Sequence, residues 1–146
     1  MGRYIPKKRS IPMKKLVIYA AAALLSAGCN LEKPNVEKAK VVVENCLRAI
    51  DEGDVKKVRD EYYTSEFVKA ETEQELSHKF NKLKEIAGPI TSIELKESTL
   101  ETEMGEEACV HLVYLVKHTR VTTKEDFVVV IEGGKHKIGS HLVTNE

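Results

Sequence analysis

Acid–base chemistry needs histidine, tyrosine or carboxylate side chains within hydrogen-bond reach of a bound molecule, their protonation tuned by burial. Five residues of this sequence have the type and setting for such a pocket. Tyr62 and Tyr63 end a short helical segment, His111 and Tyr114 lie on a strand apolar on both faces, and Asp126 lies on the next strand. The bland alternatives weigh against each. A tyrosine at a helix end more often packs its ring and leaves its hydroxyl in water, and a sheet histidine more often bonds a neighbour. His118, His136 and His141 fall near strand ends or on the last strand, where solvent exposure is expected. No residue is assigned a catalytic role.

Other chemistries find less. Metal ligation would need three or four convergent His, Cys or carboxylate groups. Lys135-His136-Lys137 offers one candidate and no cluster, so neither a metal nor another cofactor is expected. There is no glycine-rich phosphate loop, nucleophile elbow or Cys-x-x-Cys pair. Glu101, Glu103, Glu106 and Glu107 around Gly105 read as a solvated acidic turn. Cys46 and Cys109 fall on apolar segments that can touch. They are either two buried thiols acting as small hydrophobes, the favoured reading, or a disulfide between helix and sheet.

The amino-terminal region carries the most specific signal. Leu24-Leu25-Ser26-Ala27-Gly28-Cys29 closes a ten-residue apolar run, residues 16–25, that follows a basic head. The run is too short to span a bilayer, which takes roughly 20 apolar residues, and it suits a signal peptide. The pattern resembles the lipobox of bacterial lipoproteins, with Ser26 where a branched aliphatic residue is usual. It implies cleavage between Gly28 and Cys29 and a lipid on Cys29. Residues 1–28 are thus expected to be a signal peptide, within which residues 1–12 add nothing and Met13 is a plausible start. The expected address is the bacterial cell envelope, with the membrane as partner through the lipid. Asn30 after the cysteine points to an outer membrane, facing the periplasm, in a Gram-negative host.

Charge follows the same division. The first 28 residues hold six of the 23 basic residues and no acidic one, leaving 17 against 23, a net charge of −6. A domain so charged repels nucleic acid, which is not expected as a partner. A tether over residues 29–35 reaches only about 20 Å, keeping residues 36–146 near the bilayer.

These residues must be positioned by elements that the pattern places. Val36, Ala39, Val43, Cys46, Leu47 and Ile50 form one helical stripe, with Asn35 as N-cap and Gly53 after the end. Asp54 caps a second helix over residues 55–62, and residues 64–70 read as a connection packing Phe67 and Val68. Thr72-Glu73-Gln74-Glu75 is a capping box for a third helix, with Leu76, Phe80, Leu83 and Ile86 or Ala87 inward and Gly88-Pro89 as its stop. Strands follow at residues 90–102, with a bulge near Glu97–Ser98, then 108–117, 124–132 and 135–144, the last two joined at Gly133-Gly134. The class is α+β, three helices and then a four-stranded antiparallel meander.

This order resembles nuclear transport factor 2-like domains of small bacterial lipoproteins. The likeness rests on the helix ending Asp51-Glu52-Gly53-Asp54, the capped third helix, the long bent strand and the hairpin Gly133-Gly134-Lys135-His136-Lys137-Ile138-Gly139. It covers residues 36–143 and departs at His136, where many relatives carry tryptophan. The resemblance implies a curved sheet wrapped on helices around a conical pocket. Such cones serve binders, enzymes and scaffolds alike, so fold does not settle function. The expected role is to bind a small apolar ligand or an envelope protein, without catalysis. The alternatives are an isomerase- or dehydratase-like enzyme with His111 and a tyrosine or Asp126 in the cone, or a packed scaffold that dimerises through its sheet.

Overall fold

The computed structural model describes residues 32–102 and 107–146. Gly28, Cys29 and the signal peptide lie outside the described residues, as do Glu103, Gly105 and Glu106. Lys33–Glu146 form a compact unit containing their own core.

Asn35 starts the first helix. Its side chain accepts from the Lys38 amide at 2.9 Å, satisfying one of the amides left over at a helix start. Helix α1 (Val36–Glu52) buries Ala39, Val43, Cys46, Leu47, Ala49 and Ile50; of the expected stripe, Val36 is only partly buried, and Ala49 is added to it. Gly53 ends it at φ 81°, a left-handed conformation that glycine adopts without a Cβ penalty. Asp54 then caps a short turn α2 (Val55–Lys57), which widens into a π-helical turn, Val58–Tyr62. The segment expected as a connection contains a short helix, α3 (Ser65–Ala70), capped by Thr64. Helix α4 (Glu73–Ala87) opens on the expected capping box, Glu75 amide to Thr72 Oγ1 at 3.1 Å and Thr72 amide to Glu75 Oε2 at 2.7 Å. Ala87 faces inward, while Ile86 is exposed. Gly88 follows at φ 87° with an extended ψ of 178°, so the stop is not the left-handed cap expected of it.

The sheet is an antiparallel meander in the order β1-β2-β3-β4, with β1 at Ile90–Glu101, β2 at Cys109–His118, β3 at Thr122–Glu132 and β4 at Lys135–Asn145. Gly133 and Gly134, both at positive φ, close the last hairpin as expected. The bulge in β1 falls between Leu95 and Glu97, one step earlier than the parity suggests. Two further irregularities are unforeseen: one in β1 between Ile90 and Ser92, and one that leaves Gly139 unpaired in β4, where Val129 pairs with Ile138 and Val128 with Ser140. The extra residue shifts every later side chain of β4 to the other face. Ile138 and His141, three residues apart, therefore both face the helices.

The helices lie on one face of the sheet, against Val110, Leu112, Tyr114, Val116, Phe127, Val129 and Ile138. Arg120, in the β2–β3 turn, clamps the end of α4. Its Nη2 donates to the Glu85 carbonyl at 2.6 Å and its Nε to that of Ile86 at 3.2 Å. The end of α1 is tied to β1 by the Ile90 amide on Asp51 Oδ1 at 3.0 Å. These ties hold α1, α4 and the sheet at a fixed spacing, and the side chains between them do not fill it.

Candidate functional site

The unfilled space is a cavity of about 330 Å³ between α1, α3, α4 and the helix-facing side of the sheet. Its walls are mostly apolar: Leu47 and Ile50 from α1, Phe67 from α3, Leu76, Phe80 and Leu83 from α4, and Ile90 from β1. Tyr63, His118, Glu125 and His141 add a polar wall, and Asp51, Glu71, Lys79 and Lys84 add charged groups.

The polar wall is one hydrogen-bonded chain. Glu125, 1% exposed, takes the Thr123 hydroxyl on Oε1 at 2.9 Å and faces His141 Nε2 through Oε2 at 2.7 Å. His141 Nδ1 meets the Tyr63 hydroxyl at 3.0 Å. A carboxylate beside Nε2 fixes the imidazole proton there, so Nδ1 accepts and the Tyr63 O–H donates. On the other side His118 Nδ1 donates to the Gly88 carbonyl at 2.9 Å, and its Nε2 lies 3.4 Å from Thr123 Oγ1. Aromatic packing holds the rings in place. Tyr63 stacks on Phe67 with centroids 4.0 Å apart, and His141 stacks on Phe127 at 4.2 Å.

Each position has a local cause. Glu125 shares strand parity with Phe127 and Val129, so it faces inward with them. His141 faces inward only because of the bulge at Gly139. Tyr63 leaves the π-turn in an extended conformation and bridges to Ile138, which lays its ring over Phe67. Burial pushes the Tyr63 phenol well above its ordinary pKa, with Cys46 and Glu125 adding to the effect, so the hydroxyl keeps its proton. Burial, then Glu125, likewise pushes up the Cys46 thiol.

Of the five residues marked in the sequence for a pocket, Tyr63 lines the cavity and Tyr62, His111, Tyr114 and Asp126 do not. Tyr114 points inward, but its ring is buried in the core and its hydroxyl donates to Glu44 at 3.1 Å. His111 and Asp126 face the other side of the sheet, with His111 Nε2 at 3.4 Å from Asp126 and Nδ1 at 3.8 Å from Glu101. His141, expected in solvent, and Glu125, not singled out, form the buried pair instead. His136 is also buried, accepting from the Asn35 amide at 2.9 Å. Cys46 is a buried thiol facing the sheet, while Cys109 falls on the outer face by strand parity, so no disulfide joins them. Among the described residues no group of three or more potential ligands is placed to hold a metal, and no helix is long and apolar enough to cross a membrane.

Compared with known proteins, the chain matches no family model and no curated protein.

Proposed function

We propose that this chain is a ligand-binding module of the nuclear transport factor 2-like kind, held at a bacterial membrane by a lipid on Cys29. The observation that carries the binding reading is the cavity itself. At about 330 Å³ it lies at the lower end of the size range of small-molecule sites. A scaffold packed shut by its own side chains would not leave such a space, because interiors are normally filled to crystal-like density. The mainly apolar lining with a few fixed polar groups suits a small, weakly polar ligand. Native mass spectrometry of residues 33–146, purified without denaturant from a bacterial host, tests this. The expected result is a reproducible extra mass that leaves on gentle activation; a bare protein that also binds none of a set of small apolar molecules would overturn it. The lipid is tested separately: Cys29→Ser should move the full chain from the membrane pellet to the soluble fraction.

One observation favours a second reading. The chain Tyr63–His141–Glu125 has the order of a proton relay, in which the carboxylate orients the imidazole and the tyrosine reaches the ligand. An isomerase or dehydratase built on it would lose turnover in His141→Gln while retaining its ligand.

A further inference from the structure

We infer that the cavity selects a small neutral molecule bearing its own hydrogen-bond donor, an alcohol, a phenol or an N–H, over a ketone or a carboxylate of equal size. This selectivity rests on the ligand-binding reading above and follows from a count of donors and acceptors on the sheet-side wall.

Every donor there already has a partner in the protein. The Tyr63 hydroxyl is engaged by His141 Nδ1, His141 Nε2–H by Glu125 Oε2, the Thr123 hydroxyl by Glu125 Oε1, and His118 Nδ1–H by the Gly88 carbonyl. The acceptors are not exhausted. The Tyr63 oxygen donates its proton and retains a lone pair, and each Glu125 oxygen accepts one bond where it can take two. A ligand hydroxyl can therefore donate to Tyr63 and extend a chain that runs through His141 to the carboxylate, each bond polarising the next. A ketone oxygen against the same wall meets only lone pairs. It would be desolvated without a donor or would have to break the 2.7 Å pair between His141 and Glu125.

Charge points the same way. The two ammonium groups on the α4 side are held in place, Lys79 by the Glu71 carboxylate and Lys84 by the Asp51 carbonyl at 2.5 Å. Asp51 in turn takes the Ile90 amide. Each ammonium keeps further N–H donors for an acceptor at that end, but a carboxylate ligand would share the cavity with three carboxylates, Asp51, Glu71 and Glu125, against these two lysines. The volume of about 330 Å³ lies at the lower end for small-molecule sites, so the probes are kept small.

Three probes of matched size separate the outcomes: 4-propylphenol carries a donor, whereas 4-ethylanisole and 4-methylacetophenone carry only acceptors. Each is titrated into residues 33–146 and followed by calorimetry. The phenol should bind three- to tenfold more tightly than either acceptor-only probe, the range that one net hydrogen bond supplies. Tyr63→Phe, which keeps the ring on Phe67, should bring all three within about twofold. A ketone bound as tightly as the phenol overturns the inference and leaves the binding reading standing. It would place the proton of His141 on Nδ1 and turn the Tyr63 hydroxyl to the cavity. Binding of none of the three up to millimolar concentration would sink both. If the variant does not fold, judged by its thermal melt, the ranking in the unaltered protein still decides.

Discussion

Two histidine–carboxylate pairs sit on opposite faces of the same sheet, and they differ in every respect that matters physically. His141 and Glu125 face the helices, 5% and 2% exposed, 2.7 Å apart, with a second bond on each partner. His111 and Asp126 face outward, 37% and 28% exposed and 3.4 Å apart, with no closer bond between them. Glu125 and Asp126 are adjacent in the sequence, and strand parity alone sends one inward and the other outward. The lesson is that residue type did not select the site. A carboxylate beside an imidazole is a weak feature where water competes and a strong one where a low dielectric does not screen it.

The largest expected effect breaks the inner pair. Glu125→Ala leaves His141, Thr123 and the end of the tyrosine chain without their acceptor in a buried setting. It should cost about 2–6 kcal/mol, about 1–3 kcal/mol for each of the two buried donors, the His141 Nε2–H and the Thr123 hydroxyl, left without a partner. Asp126→Ala should cost about 0–1 kcal/mol, as for exposed pairs. Urea unfolding of both variants measures the difference, and equal losses would mean that burial does not separate the two faces.

The same contrast explains what could be read from the sequence. The helix stripe of α1, the Asn35 and Thr72 caps and the two-residue hairpin are local signals, each complete within a few residues, and they fixed the α+β order. Glu125 was only half-readable: it shares parity with Phe127 and Val129, but Asp126 shares parity with Val128 and Val130, so both faces of β3 are apolar. His111 was no clearer, because its parity partners Cys109 and Val113 are apolar as well and Val113 is buried. His141 was hidden by another cause. Its direction depends on the unpaired Gly139, and a bulge leaves only a weak trace when the flanking residues are mixed. The helix at Ser65–Ala70 was hidden for a different reason, being too short to display a period. The cavity lay further out of reach, because it depends on the spacing of α1, α4 and the sheet and not on any one segment.

A smaller effect sharpens the comparison through pH. Burial raises the pKa of Cys46, Tyr63 and Tyr114, all on the helix-facing side. Above their ordinary values, 9.0 for the thiol and 10.0 for the phenols, the unfolded chain releases protons that the folded chain keeps. The unfolded state then binds fewer protons, so stability falls as pH rises. These groups contribute full stability below pH 9, and each adds a slope approaching about −1.4 kcal/mol per pH unit above its unfolded value. Tyr63→Phe should remove one such contribution from the alkaline limb of an unfolding titration. An unchanged limb would mean that Tyr63 ionises as readily in the fold as outside it. Tyr114→Phe should flatten the limb in the same way. It should also cost about 1 kcal/mol at neutral pH through the lost bond to Glu44.

The smallest effect tests the outer face by itself. His111 lies between Glu101 and Asp126, yet at 3.8 and 3.4 Å and with over a third of its side chain in water. Attraction at such a site is weak, and salt screens it, the Debye length falling from about 10 Å at 0.1 M to about 3 Å at 1 M. His111→Ala should therefore change stability by less than about 1 kcal/mol in dilute buffer, and by still less in 1 M sodium chloride. The cost of Glu125→Ala should hardly move over the same range, because counter-ions do not reach a side chain 1% exposed. Salt thus separates the two pairs without reference to any ligand. If the inner pair proved as salt-sensitive as the outer one, water and ions would have access to the polar wall. The donor count that sets the selectivity of the cavity would then have to include them.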